Sequence, residues 1–242
     1  MKNMLVYSIF SLFFGACFGS FITMLSYRLP RNEDIVFKKS YCPKCNQPIK
    51  LWSLIPILSW IFQGGKCSNC GAKISIRYPL IEITTAIMFY LSYLKFGVDW
   101  NTIIFDMIIV VCFTMFISDL ETYILPDSLQ ISLLVLSLAF IFYNHFDILQ
   151  SVISAFLYFI IIYITAYIVS KWKKKDSLGG GDIKFITVAG LILGLNNLTM
   201  FLFLAGLFGI IFGLIWKIFK KNDYFPFAPA LIFSYLLLIY FC

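Results

Sequence analysis

Two acidic segments hold the residues best suited to catalysis in this chain. The stretch 118–127, SDLETYILPD, carries Asp119, Glu121 and Asp127 and no basic residue. Asp182 follows three glycines in the segment 179–184, GGGDIK. Glycines at this position let the backbone approach another chain closely and adopt positive φ, so that an extended substrate could pass beside the carboxylate. A lone aspartate is ordinarily just solvated, and only a pairing of the two segments indicates a site.

Paired carboxylates can hydrolyse peptide bonds. Two carboxylates about 4 Å apart repel by roughly 4 kcal/mol at an effective dielectric near 20, which corresponds to about three pKa units. One member of such a pair therefore holds a proton while the other stays ionised. The ionised member can activate a water molecule, and the protonated member can donate to the substrate carbonyl, as in aspartic proteases. We predict this chemistry for Asp182 and an acid of the stretch 118–127.

Four of the seven cysteines have the spacing of a metal site. They form two Cys-x-x-Cys pairs with 21 residues between them, Cys42 with Cys45 and Cys67 with Cys70. Four thiolates presented by two tight turns can enclose Zn²⁺ tetrahedrally with no open position, which is typical of a structural metal. A redox-active pair or two disulfides is the alternative, although a reducing cytosol disfavours stable disulfides.

Other nucleophile schemes lack a residue near these acids. The only histidine, His145, falls in a loop that we predict on the opposite membrane side, so Ser–His, Cys–His and His-ligated zinc mechanisms have no base or ligand there. We predict that His145 is a surface residue. A Ser–Lys pair stays open, but Lys184 is more simply a basic anchor of the membrane face or a modest electrostatic partner of the acids.

Long apolar runs must position these residues. Hydrophobic residues make up 61% of the 242 residues and charged residues 13%, with a mean hydropathy of +0.90, which is far from the composition of soluble domains. Runs near the 17–25 residues that cross a bilayer predict an all-α polytopic membrane protein with about eight transmembrane helices. The predicted spans are 5–25, 80–96, 102–118, 128–143, 148–170, 183–195, 198–216 and 226–242.

Three local features refine these spans. The first apolar run continues well past Cys17, so we interpret it as a membrane anchor and not as a secretion signal. Gly15-x-x-x-Gly19 permits close helix packing. The run 51–62 is too short to cross, and we predict that it lies on the membrane, as an interfacial segment or as a flap over the active site.

The basic residues predict the orientation. With the amino terminus outside, 17 of the 19 Lys and Arg residues fall on the cytosolic side, as the positive-inside rule favours. The chain then divides into a first transmembrane helix (1–26), a cytosolic four-cysteine loop (27–79) and a seven-helix membrane catalytic domain (80–242). The net charge of +7 is explained by loops that face anionic lipid, so no nucleic-acid partner is needed.

Several further sequence segments accompany the acidic residues along the chain. They are GACFGSFITMLSYRLPR at 15–31, the two cysteine pairs, IPILS at 55–59, GKC at 65–67, RYPLIE at 77–82, LPD at 125–127 and GGGDIK at 179–184.

Together these segments make the chain resemble the type IV prepilin peptidases, the bacterial leader peptidase and N-methyltransferase family of GxGD aspartic membrane proteases. The resemblance implies that Asp119 and Asp182 form the catalytic pair, and that Asp127 is a neighbour. It adds Gly179, Gly181, Lys184 and Asp127 as loop or substrate support.

The same resemblance implies an activity in the bacterial cytoplasmic membrane. The enzyme would remove the basic leader of prepilins or pseudopilins at the cytosolic face and then methylate the new amino terminus from S-adenosylmethionine. Such substrates build type IV pili, protein secretion systems or DNA-uptake (competence) machinery. Two alternatives are an intramembrane protease of the presenilin or signal-peptide-peptidase type, and a zinc-stapled scaffold or transporter without enzymatic activity.

Overall fold

Nearly every long apolar run of the sequence forms a helix. A computed structural model describes residues 2–173, 178–220 and 225–241, and these residues contain nine α-helices and two isolated β-bridges but no strand. The helices are α1 (Lys2–Arg28), α2 (Leu58–Phe62), α3 (Arg77–Phe96), α4 (Trp100–Thr122), α5 (Asp127–Tyr143), α6 (Ile148–Lys173), α7 (Gly180–Leu193), α8 (Leu198–Lys220) and α9 (Ala228–Phe241). All helices but α2 coincide with predicted spans, which confirms the all-α prediction.

Fewer helices meet the length and composition of a membrane span than predicted. Within the described residues, four segments are long and apolar enough to cross a bilayer: Met4–Arg31, Trp100–Thr122, Ile148–Trp172 and Leu195–Ile218. Helices α5, α7 and α9 have 17, 14 and 14 residues. At 1.5 Å per residue they are about 26, 21 and 21 Å long, which is short of a hydrocarbon core of about 30 Å. Within the described residues, four helices thus have the length and composition of a membrane span, and eight crossings are not confirmed.

A few residues of the sequence analysis lie outside the described part of the chain. They are Lys174, Lys175 and Lys221, which are among the 17 basic residues predicted on the cytosolic side, and Cys242 at the end of the last predicted span.

The first of two compact units, Met1–Val110, is built on the packing of α1 along α3. The glycines of α1 make this packing close. A Cβ atom at Gly15 would lie 2.6 Å from the Cα of Ala86, and one at Gly19 would lie 2.5 Å from the Cα of Glu82. The predicted role of this Gly-x-x-x-Gly pair in helix packing is confirmed.

The loop between α1 and α3 is tied to the end of α1 by one side chain. Arg28 is buried, and its guanidinium donates to the backbone carbonyls of Asp34, Lys38 and Lys39 at 2.8–3.2 Å. Within this loop the run 51–62 forms a short 3₁₀ turn and the five-residue α2. Trp52 and Phe62 of this run are more than 80% exposed. The run is too short to cross a membrane, and it presents apolar surface.

The second unit, Val111–Cys242, places α7 at its centre. Helix α7 contacts α5, α6 and α9. A Cβ at Gly190 would lie 2.8 Å from Cγ of Tyr158, so glycine allows α6 and α7 to approach closely. The short α7, which begins two residues before Asp182, is thus held by neighbours on several sides. The division between the two units falls inside α4.

Candidate functional site

Asp119 lies near the end of α4 and faces the start of α9. Its side chain is 6% exposed, and its Oδ2 accepts a hydrogen bond from the backbone N–H of Ala228 at 3.2 Å. Ala228 is the first residue of α9. The first N–H groups of a helix have no partner within the helix and carry the positive end of its dipole. Asp119 is therefore partnered by a group suited to a carboxylate.

Asp182 lies in the first turn of α7, at the third helical position. Gly179 precedes the helix with an extended backbone, and its carbonyl accepts from the N–H groups of Asp182 and Ile183. The Asp182 Oδ2 would lie 3.2 Å from a Cβ at Gly179, so the carboxylate folds back over the helix start. A negative side chain in the first turn is favoured by the helix dipole.

The two aspartates lie within electrostatic range of each other. The charge of Asp119 acts on the carboxyl group of Asp182, although 63 positions separate them in the sequence. Because α7 contacts α9, the helix start that carries Asp182 and the helix start that binds Asp119 belong to one packed group. The structure thus brings together the two acids that the sequence analysis paired, and a pair of this kind can hold and deliver a proton.

Helix α5 supports the glycine segment from the side. The side-chain amide of Gln130 donates from Nε2 to the carbonyl of Gly181 at 3.2 Å, and Gln130 is 5% exposed. A Cβ at Gly181 would lie 3.1 Å from the Cβ of Leu125, so the LPD and GGGD segments are in close contact. Sequence reasoning missed Gln130, and its position four residues after Pro126, in the first turn of α5, is the only local signal.

The glycines before Asp182 do not adopt positive φ, so that part of the prediction is wrong. Gly179 has a φ of −67°, and Gly180 and Gly181 are helical because α7 begins at Gly180. Instead, the absence of a side chain at Gly181 lets the start of α7 pack closely on Leu125.

Lys184 and Asp127 form an ion pair of their own. The Lys184 Nζ lies 2.6 Å from Oδ1 of Asp127, and both side chains are more than half exposed. The pair joins the first residue of α5 to the fifth residue of α7. Lys184 is therefore the partner of Asp127 and not of Asp119 or Asp182, and an exposed pair of this kind contributes about 0–1 kcal/mol.

The four predicted cysteines meet in the first unit. Their Sγ atoms all lie within 4.8 Å of one another, and all four are free thiols. The two pairs have the same local fold. In each, the N–H of the first cysteine donates to the carbonyl five residues later, and the residue after the second cysteine, Asn46 or Gly71, has positive φ.

The distances between the sulfurs fit a tetrahedral metal. Zinc–sulfur bonds of about 2.3 Å imply sulfur–sulfur separations of about 3.8 Å, and Cys42 Sγ lies 3.9 Å from Cys70 Sγ. Backbone N–H groups of Cys45 and Lys44 donate to the Cys42 sulfur and lower the pKa of this thiol to about 7. Thiolates are the form that binds a metal, so the lowered pKa of Cys42 favours coordination by this sulfur.

The structure also confirms that His145 is an exposed loop residue. It lies in the turn between α5 and α6 with a φ of 55°.

Comparisons with known proteins agree with these features. Residues 13–96 match the family model described as the bacterial peptidase A24 N-terminal domain, and residues 107–214 match the type IV leader peptidase family.

Curated relatives cover most of the chain. A protein of Neisseria gonorrhoeae is 31% identical over 91% of this chain and 85% of its own length. One of Vibrio cholerae is 29% identical over 98% and 96%, and one of Bacillus subtilis is 30% identical over 90% and 88%. All three are named prepilin leader peptidase/N-methyltransferase. No solved structure matches the chain significantly.

Proposed function

Because the chain belongs to the type IV leader peptidase family, we propose that it is a bifunctional enzyme that cleaves prepilins or pseudopilins and methylates the new amino terminus. The observation that carries the peptidase assignment is the meeting of Asp119 and Asp182 in one unit, each beside a helix start. The names of the curated relatives supply the substrate class of this proposal.

The two aspartates divide the work of hydrolysis. The ionised carboxylate takes a proton from water as the water oxygen attacks the scissile carbonyl carbon, and the protonated carboxyl donates its proton to the carbonyl oxygen. Collapse of this intermediate breaks the C–N bond, and the departing amine receives a proton from the pair. Gly179 leaves space beside Asp182, Gly181 lets the start of α7 pack on Leu125, and Lys184 and Asp127 brace the helix starts that flank this segment.

The membrane arrangement follows from charge and from the substrate. The family resemblance and the basic loops support eight crossings, with the amino terminus outside and the site at the cytosolic face of the bacterial cytoplasmic membrane. The segment order is then helix 1–26, loop 27–79 and catalytic domain 80–242. Prepilins are cut between a basic leader and an apolar helix, and such a cut point lies at this boundary.

Zinc fits the four sulfurs of Cys42, Cys45, Cys67 and Cys70 as a structural ion. Four sulfur ligands close the coordination sphere and leave no position for a substrate or water. When bound, the metal supplies a cross-link between the two turns, which stabilises a loop with little core of its own.

Methylation needs a second substrate site. S-adenosylmethionine supplies a methyl group on a positively charged sulfur, and the amine of the cleaved pilin is the nucleophile. Its nitrogen forms the new C–N bond, the electron pair of the broken C–S bond stays on sulfur, and the amine loses one proton.

The decisive experiment measures cleavage and methylation of a co-expressed prepilin by mass spectrometry of its amino terminus. The Asp119→Asn and Asp182→Asn variants should each lose at least about 100-fold of the cleavage rate, because a proton-transfer group contributes about 10²–10⁴-fold. Asp147→Asn removes an exposed carboxylate far along the sequence from both acids and should cleave normally. Normal cleavage by either aspartate variant would exclude the pair mechanism, and a cut within the apolar helix would indicate an intramembrane protease.

A further inference from the structure

A backbone group at the start of α9 binds Asp119. Ala228 is fully buried, and its N–H donates to Oδ2 of Asp119 at 3.2 Å. A buried N–H needs an acceptor. Pro229 has no N–H, and the N–H of Ala230 donates to the carbonyl of Phe227 at 3.0 Å. Among residues 228–230, the donor that reaches Asp119 is therefore the N–H of Ala228.

The peptide plane between Phe227 and Ala228 sets the direction of this donor. A peptide unit is planar, so the carbonyl of Phe227 and the N–H of Ala228 move together. The helix holds this carbonyl, because the N–H groups of Ala230 and Leu231 donate to it at 3.0 and 3.4 Å. A movement of the Phe227 backbone therefore changes both the start of α9 and the N–H that meets Asp119.

Helix α8 packs on α9 and holds the side chain of Phe227. A Cβ at Gly209 would lie 2.8 Å from Cε2 and 3.4 Å from Cδ2 of Phe227, so the ring lies directly on the backbone of α8. One turn further along α8, a Cβ at Gly213 would lie 3.7 Å from the ring of Phe225. The two rings meet edge to face, with centroids 6.2 Å apart and an interplanar angle of 87°. The packing therefore requires glycine at position 209 and leaves room for a methyl group at position 213.

We propose that Gly209 and Phe227 are positioning residues for Asp119. The Phe227 ring rests on α8 at Gly209, this contact fixes the peptide plane between Phe227 and Ala228, and that plane aims the N–H of Ala228 at the Asp119 carboxylate. Neither side chain has to touch the reacting atoms. This inference rests on the proposed peptidase activity, and it gives α8 a part in placing one of the two acids.

Alanine at position 209 would displace the ring of Phe227. Ordinary contacts between carbon atoms begin near 3.4 Å, so the ring has to move by about 0.6 Å or more. The contact with Phe225 opposes a turn of the ring alone, and the displacement passes to the backbone of Phe227. A misplacement of about 1 Å can cost an active site about 100-fold in rate. We therefore expect Gly209→Ala to lower kcat by about 10- to 100-fold.

Prepilin cleavage by the purified full-length protein in detergent tests this expectation. The constants kcat and KM are measured for wild type, Gly209→Ala and the matched control Gly213→Ala, and the unfolding temperature is recorded on the same samples. Both changes add one methyl group to α8 and gain the same helix propensity. Gly209→Ala should lose kcat with KM nearly constant, whereas Gly213→Ala should keep the kcat of wild type within about twofold. Wild-type kcat in Gly209→Ala would overturn the proposal.

A second substitution separates positioning from a general loss of stability. Phe227→Leu lacks the ring atoms that the alanine methyl group would meet. In the Phe227→Leu background, Gly209→Ala should therefore change kcat by less than about twofold, because contacting residues are coupled and the contact is gone. An equal loss of kcat in both backgrounds, or a lower unfolding temperature with unchanged kcat, would refute the positioning role of this contact.

Phe227→Leu alone carries the test if Gly209→Ala does not fold. Leucine removes the ring that rests on Gly209, so the start of α9 loses this support. Its kcat should fall by at least about threefold with KM nearly constant, as expected for a displaced catalytic group. A Phe227→Leu enzyme with the kcat of wild type would contradict the proposed role of the ring.

The same assay distinguishes a failure of this inference from a failure of the proposed function. A wild type that cleaves prepilin, an inactive Asp119→Asn variant and normal kcat in Gly209→Ala and Phe227→Leu would together refute only this inference. A wild-type protein that does not cleave prepilin would refute the proposed function.

Discussion

Replacing Gln130 with leucine should separate stability from catalysis. Gln130 donates from Nε2 to the carbonyl of Gly181, the residue before Asp182. Its Oε1 is buried and has no hydrogen-bond partner within the described part of the chain. Leucine removes both groups while filling a similar volume. The two losses act in opposite directions, because the hydrogen bond holds the segment that carries Asp182 and the unpaired acceptor destabilises the fold.

The expected size of the effect on kcat follows from the contacts of the Gly181 carbonyl. Gly181 is in the first turn of α7, so its carbonyl also accepts within the helix. The variant therefore loses one net hydrogen bond, worth about 0.5–1.5 kcal/mol, and leaves no orphaned carbonyl. If this free energy serves to position Asp182, kcat falls by about 2- to 12-fold. Removal of the unpaired Oε1 should leave the unfolding temperature unchanged or raise it.

The assay is prepilin cleavage by purified protein in detergent, with kcat and KM measured separately and the unfolding temperature recorded on the same samples. We expect kcat to fall and KM to stay nearly constant. Gln150→Leu, at an exposed position of α6, is the matched control. A Gln130→Leu enzyme with wild-type kcat would refute the positioning role, and a lower unfolding temperature would refute the opposing signs of the two effects.

Three further changes test other parts of the molecule. Gly19→Ala should lower the unfolding temperature, because its Cβ would lie 2.5 Å from the Cα of Glu82, with a cost of about 1–3 kcal/mol. Gly206→Ala, which adds a Cβ to open space, should not. Metal analysis should find about one zinc per wild-type chain and almost none in a Cys42→Ser/Cys67→Ser variant; equal, near-zero zinc in both would contradict a metal site. Lys184→Met should change cleavage by less than about fivefold, since its ion pair with Asp127 is exposed, and a loss as large as that of Asp182→Asn would contradict this.

The helices and the cysteine turns could be predicted from sequence because their signals are local. An apolar run of sufficient length forms a helix whatever packs on it, and two residues between cysteines suffice for a tight turn. The packing role of Gly15 and Gly19 could also be predicted, since their spacing places them on one face of α1. The lengths of α5, α7 and α9 could not be predicted, because these helices have only 17, 14 and 14 residues although their segments are predominantly apolar.

The partners of the site residues could not be predicted, because each is set by packing between distant segments. Gln130 reaches Gly181 across 51 positions, and Asp119 reaches Ala228 across 109. Nothing in the local sequence of Gln130 distinguishes it from an exposed polar residue of a helix.

The two helix starts bear on whether the proposed pair of acids would be stable in this unit and still share a proton. A carboxylate at a helix start gains about 0.3–1 kcal/mol, so the starts of α9 at Asp119 and of α7 at Asp182 together offset about 0.6–2 kcal/mol. Two carboxylates about 4 Å apart repel by roughly 4 kcal/mol. At that separation the two helix starts would reduce the repulsion without cancelling it. If they cancelled it, both acids would ionise and no proton donor would remain for the substrate carbonyl, so the proposed chemistry requires helix starts weaker than the repulsion.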